Sequence, residues 1–349
     1  MLTGGMRAAY MFAPGDVRVI DAPAPRIEEP TDALVRLVRT CVCGSDLHPY
    51  HSMAPNPDGT SMGHEYLGVV EEVGAEVVTV RPGDLVIVPF VFSCGVCDFC
   101  REGLQTSCRR AGLASRLGSA GAQAELLRAP LADGTLYPVP VDEHSGLLAS
   151  LLTLSDVYGT GFHAALTGGA GPETTVAVIG DGAVGLLAVL SARRLGAERI
   201  ILMGRHAART DLGREFGATD VVATRADEGV EAVRELTGGD GCHVVLEAVG
   251  HLPALEQALG IVRAGGRIAR VGVPQYREGP IGREQFARNV TITGGVAPVR
   301  HYIDRLLPDV LSGEVDPGRV FDVELSLDDA ARGYELMDRR EALKVMLRP

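Results

Sequence analysis

Thr175-Val-Ala-Val-Ile-Gly180-Asp-Gly182-Ala183-Val184-Gly185 decides how the second half of this chain folds. A short β-favouring apolar run meets a glycine-rich turn, and a helix-forming run from Ala183 to Leu195 follows directly. Each glycine has a separate job in such a turn. Gly180 permits the tight bend, Gly182 lets a ligand's pyrophosphate reach the backbone, and Gly185 allows the helix to pack closely on the strand. The free N–H groups of Ala183, Val184 and Gly185 then meet the anion at the positive end of the helix. A lone pattern of this kind is weak, but between a strand and a helix it predicts a dinucleotide site.

Downstream the same rhythm repeats. Strands are predicted at Arg199–Met203, Asp220–Ala223, His243–Glu247, Arg267–Val271 and Val290–Thr293. Helices are predicted at Ala207–Phe216, through Ala232, and around Leu255–Val262. Continuous Val/Ile/Leu strands separated by helices define a doubly wound parallel sheet. Upstream, from residue 7 to about 153, short runs such as Ala33–Val38, Leu67–Val73 and Asp84–Pro89 are punctuated by Gly and Pro and predict an antiparallel β domain. The tail from about Pro298 is too short to stand alone and is expected to return to that first domain. The expected division is therefore 1–153, 154–297 and 298–349, and 349 residues suit two domains better than one.

Composition narrows the function. The chain is 46% hydrophobic and 22% charged, with no apolar run long enough to span a bilayer. Its start lacks a secretory signal pattern, so a cytoplasmic location is expected. A net charge of −12 argues against a nucleic-acid surface, which needs clustered Lys and Arg.

Six of seven cysteines lie in the first third. Cys94, Cys97, Cys100 and Cys108 fall within one short loop, and in a reducing compartment this spacing favours metal over disulfides. Four thiolates can close tetrahedrally on one zinc, which leaves no place for substrate and makes the site structural. Scattered buried cysteines and an iron–sulfur cluster are the alternatives. Cys41 and Cys242 read as small buried apolar residues.

A second metal site would draw on Cys43, His64, Glu65 and Asp156, which spacing alone does not group. The motifs Cys43-Gly-Ser-Asp-Leu-His48, Gly63-His-Glu65, the four-cysteine loop and Gly180-Asp-Gly-Ala-Val-Gly185 occur in the order found in zinc-containing medium-chain alcohol dehydrogenases. From about Arg7 to Arg348 the chain resembles that family. The resemblance implies an α/β fold with a GroES-like β-rich catalytic domain and a Rossmann domain, and an active site in the cleft between them. It implies Cys43 and His64 as catalytic zinc ligands, with Asp156 where many members carry cysteine. That choice is similar to the bacterial secondary-alcohol dehydrogenase branch, although this chain keeps all four cysteines of the other site. Glu65 resembles the residue behind the metal or an exchangeable ligand.

The resemblance further implies that zinc polarises a substrate oxygen, that Ser45 takes the substrate hydroxyl proton, and that His48 passes it toward solvent. As plain residues these two would be a turn hydroxyl and a surface histidine. Asp46 is read as orienting its loop. A homodimer or homotetramer through the Rossmann sheet edge is implied as well.

For the cofactor, an NAD enzyme places an acid at the end of the second strand. Here that strand ends Met203-Gly204-Arg205-His206, with no carboxylate. Gly204 leaves room, and Arg205, His206 and Arg209 offer donors for a 2′-phosphate, so NADP(H) is predicted over NAD(H). The substrate is expected to be a small alcohol, aldehyde or ketone, enclosed by loops such as Tyr50–Thr60, Leu113–Leu117 and Pro274–Gly282. A zinc-dependent polyol, sugar or amino-alcohol dehydrogenase shares every motif. A zinc-free quinone or enoyl reductase lacks the cysteine and histidine motifs, and a zinc module for nucleic acid or protein would need a basic, aromatic face.

Overall fold

The computed structural model describes residues 5–113 and 121–349, so residues 114–117 of the expected loop Leu113–Leu117 lie outside it. The chain divides into two compact units, Met1–Gly159 with Pro298–Pro349, and Thr160–Ala297.

In the second unit six parallel strands lie side by side in the spatial order Asp220–Val222, Arg199–Met203, Thr175–Ile179, Cys242–Glu247, Val262–Arg270 and Thr291–Gly294. In chain order this is 3-2-1-4-5-6, the doubly wound arrangement. Val176, Ala177 and Val178 in the first strand and Ile201 and Leu202 in the second are fully buried, as expected where helices cover both faces of a sheet. The helix Leu252–Ile261 starts three residues before the predicted Leu255, with Pro253 in its first turn, where a missing N–H costs nothing. Gly185 meets the third-glycine requirement: a Cβ there would lie 2.0 Å from the carbonyl oxygen of Gly180.

In the first unit the strand Ala33–Cys41 is the hub. It pairs with Tyr66–Val73, Leu126–Ala129 and Val345–Arg348, all antiparallel. Its alternate residues Ala33, Val35 and Leu37 pack with Tyr66, Val86, Phe92 and Leu127 in the core. The strand pairs described within residues 5–138 are all antiparallel, as expected, and the tail adds a parallel pair, Val323–Ser326 beside Val345–Arg348. The helix Ala330–Asp338 between them supplies the crossover a parallel pair requires.

This sheet brings the chemistry together. Thr40 pairs with Tyr66, so Cys43, just past one strand end, and His64-Glu65, just before the other strand, start side by side. Asp156 arrives from the turn after the helix Leu148–Thr153, where the Ser155 carbonyl accepts the Phe90 N–H at 3.1 Å. Among the described residues no helix is long and apolar enough to cross a membrane.

Candidate functional site

Three places carry the residues singled out by the sequence. In the first, donor atoms of Cys43, His64, Glu65 and Asp156 all lie within 4.8 Å of one another. His64 Nε2 sits 3.4 Å from Asp156 Oδ2. Its other nitrogen, Nδ1, is 3.3 Å from Asp46 Oδ1. Asp46 Oδ2 accepts the Cys43 N–H at 3.0 Å and the Gln123 amide at 3.3 Å. Gln123 also donates to the Cys41 carbonyl, and its Oε1 accepts the Tyr334 hydroxyl, each at 3.0 Å. Asp46 thus fixes the imidazole plane and its tautomer, as a carboxylate behind a metal-binding histidine does.

Glu65 is fully buried and pairs through Oε1 with the ammonium of Lys344 at 2.7 Å, itself 1% exposed. Lys344 donates also to the Val42 carbonyl. The second carboxylate oxygen, Glu65 Oε2, is buried with no hydrogen-bond partner. Such an orphan is expensive in a dry interior unless a ligand or ion satisfies it. The protonation of the cluster points the same way. Burial works to lower the His64 pKa, but Asp46, Cys43 and Asp156 overcome it and hold the ring well above its ordinary value. Burial and the Glu65 charge push the Cys43 thiol up. The Cys43 thiol and the His64 ring so placed hold protons that a cation would displace. The residues fit a divalent metal. Ser45 and His48 lie on the turn Gly44–Asp46 and the following short helix Leu47–Ser52, both half-buried.

In the second place Cys94, Cys97, Cys100 and Cys108 gather. The sulfur separations are 3.5 Å for Cys94–Cys108 and for Cys97–Cys100, and 4.0 Å for Cys94–Cys100. A tetrahedron with Zn–S bonds near 2.3 Å has sulfurs about 3.8 Å apart, so the loop is shaped for zinc. The N–H groups of Cys94 and Arg110 each point at the Cys108 sulfur from 3.3 Å. None of the seven cysteines is in a disulfide, and Cys41 and Cys242 are buried.

The third place is the turn between the strand Thr175–Ile179 and the helix Ala183–Arg194. A Cβ on Gly182 would meet nothing within 4 Å, so its surface is open to a ligand. Arg205 is exposed and Arg209 half-buried. One residue here was not anticipated. Asp181 Oδ2 accepts the N–H groups of Arg205 and His206 at 2.9 and 3.0 Å and lies 2.8 Å from His206 Nδ1. A Cβ on Gly204 would lie 2.5 Å from the Asp181 Cβ. The second strand carries no acid at its end, but an acid from the first turn fills that place. Asp46, Gln123, Tyr334 and Lys344 were likewise not tied to the metal cluster by sequence. Only Asp46, inside the Cys43–His48 motif, carried any signal.

Comparison with known proteins agrees with this architecture. The alcohol dehydrogenase GroES-like domain profile matches residues 29–141, and the zinc-binding dehydrogenase profile matches residues 183–311. The chain is 34% identical to zinc-type alcohol dehydrogenase B of Aspergillus flavus, over 98% of this chain and 81% of the relative. Among solved structures, the alcohol dehydrogenase TADH from Thermus sp. ATN1 aligns with TM-score 0.90 and 38% identity, covering 98% of this chain and 99% of that one. A zinc-binding dehydrogenase from Sinorhizobium meliloti 1021, bound to NADP, aligns with TM-score 0.85 and 27% identity over 99% and 100%. Fold and site together define a two-unit oxidoreductase that works with zinc and a nicotinamide cofactor. The chain belongs to the zinc-dependent medium-chain alcohol dehydrogenase superfamily.

Proposed function

We propose that this enzyme interconverts an alcohol and its aldehyde or ketone, with NADP(H) as the preferred hydride carrier. The observation that carries the reading is the Cys43, His64, Glu65 and Asp156 cluster, with the orphaned Glu65 Oε2 in its interior. In this reading Cys43, His64 and Asp156 hold the catalytic zinc, and Cys94, Cys97, Cys100 and Cys108 hold the structural one. The bound zinc supplies Lewis-acid polarisation of the substrate oxygen. Asp46 keeps His64 Nε2 turned toward Asp156, and Lys344 holds Glu65 behind the cluster. Ser45 Oγ takes the hydroxyl proton of the alcohol, and the His48 imidazole hands it on to solvent.

Gly180, Gly182, Ala183, Val184 and Gly185 cradle the pyrophosphate. Gly204, Arg205, His206 and Arg209 face the adenosine ribose. Support for NADP(H) comes from the cationic side chains there, from the absence of an acid on the second strand itself, and from the NADP bound by the Sinorhizobium relative. Homodimer or homotetramer assembly is part of the proposal. Thr291–Gly294 is an outer strand of its sheet, and Phe286 and Ile281 are 85% and 49% exposed on the stretch leading into it. A cytoplasmic setting fits seven unpaired thiols.

The test is zinc content per subunit together with NADPH and NADH oxidation against a panel of aldehydes and ketones. Two zincs and NADPH-linked reduction are expected. Cys43→Ala or His64→Ala should abolish turnover and leave cofactor binding intact. Turnover retained in either variant would remove the metal from the mechanism.

A further inference from the structure

The sequence assigns Asp181 no role, since it fills a variable position of the glycine pattern, yet it is 8% exposed and bridges two turns. Its Oδ2 accepts the N–H groups of Arg205 and His206, the two residues that lead into the helix Ala207–Phe216, and the His206 ring approaches the same atom. Those donors sit at the carboxyl end of the second parallel strand. There a nicotinamide dinucleotide presents its adenosine ribose, and amides at a helix start would bind a phosphate. A side chain at position 204 is ruled out, because its Cβ would lie 2.5 Å from Asp181 Cβ and 2.9 Å from Oδ2. Gly204 and Asp181 therefore form one unit: the strand gives up its own side chain so that a carboxylate from the neighbouring turn can enter.

That carboxylate stays charged at neutral pH. Burial works to raise its pKa, but the His206 amide and ring and the Arg205 amide bring it below the ordinary aspartate value.

We propose that Asp181 is a specificity-determining residue for the cofactor, an internal anion that occupies the backbone donors a 2′-phosphate would use and so restrains discrimination in favour of NADP(H). The exposed Arg205 guanidinium attracts a 2′-phosphate. Asp181 opposes it with like charge and by filling the anion site, while an uncharged 2′-hydroxyl meets no such repulsion. This inference rests on the cofactor reading above only in placing a nicotinamide dinucleotide across these strand ends. It holds for either wild-type preference, because it concerns the direction in which Asp181 moves it.

The experiment compares the zinc-loaded wild type with Asp181→Asn and Asp181→Ser. It reads the ratio of kcat/KM with NADPH to kcat/KM with NADH, which cancels any loss common to both cofactors. Binding of 2′,5′-ADP and 5′-AMP, measured by calorimetry, isolates the adenosine end. The asparagine keeps the shape and one acceptor and removes the charge, and the serine removes the reach as well. Both variants should raise the NADPH to NADH ratio at least tenfold and tighten 2′,5′-ADP relative to 5′-AMP. A ratio that stays the same or falls in the folded variants overturns the inference. A wild type that favours NADH, with the shift intact, overturns the NADP(H) preference and supports the role of Asp181.

Discussion

Replacing Asp46 by alanine isolates what holds the His64 imidazole in place. The residue is 5% exposed, and its side chain makes three contacts: to His64 Nδ1, to the Cys43 N–H and to the Gln123 amide. Gln123 keeps the Cys41 carbonyl after the change, so it is not orphaned. His64 loses its orienting partner, and the buried Cys43 N–H loses its acceptor. Removing such a partner behind a metal ligand lowers metal affinity about 10- to 100-fold. That is roughly 1.4–2.7 kcal/mol. The unmet Cys43 donor adds about 1–3 kcal/mol of lost stability. The assay is zinc per subunit after dialysis against graded chelator. On the two-zinc reading the wild type should release the zinc at Cys43, His64 and Asp156 over a defined chelator range, and Asp46→Ala should release it at chelator levels at least tenfold lower. The other zinc, held by the four-cysteine loop, should not move. If Asp46→Ala keeps both zincs at wild-type chelator levels, Asp46 does not orient the ligand and the reasoning fails.

Lys344→Met leaves the buried Glu65 carboxyl without its partner and should lower unfolding free energy by about 3–5 kcal/mol, read by denaturant titration. A loss under about 1 kcal/mol would show that the pair is not held against burial. In zinc-stripped protein Cys97 should alkylate first at pH 7, since the N–H groups of Arg109 and Cys100 bring its pKa down to about 6. Cys100 of the same loop, pushed up to about 12 chiefly by burial, should react more slowly than Cys97, and peptide mass spectrometry that finds the reverse order contradicts this. The metal-free fold should also be sensitive to alkali. The His64 pKa is raised on folding, so its stabilisation is complete below the ordinary histidine value of about 6.5 and fades as pH climbs through the higher folded value. Denaturant midpoints of stripped protein should fall with rising pH over that range, and a flat profile counts against the clustered charges.

The parallel sheet was legible because its strands are buried on both faces. Thr175–Ile179, Arg199–Met203 and the helix Ala207–Phe216 fall on the residues their periodicity marks. In the first unit the strands could be found but not their neighbours. The pairing of Ala33–Cys41 with Val345–Arg348 spans about three hundred residues, and no local pattern encodes it. The cluster of Cys43, His64, Glu65 and Asp156 was readable only through family resemblance, since Cys43 and Asp156 stand more than a hundred residues apart. Asp181 marks the limit of reading along the chain. The expectation of no acid at the second strand end is true of residues 203–206, and in space the place is taken from another turn.

The Lys344–Glu65 pair has a consequence for the making of the protein. Its partners are 279 residues apart, and Lys344 leads into the strand Val345–Arg348 that borders Ala33–Cys41. At about 5–20 residues per second a ribosome needs roughly 15–55 s to travel from one to the other. Throughout that interval Glu65 has no counter-charge and its sheet stands open on one side. The pocket around Cys43, His64 and Glu65 is therefore among the last parts of the nascent chain to mature, and a cation delivered early would meet an unfinished receptacle.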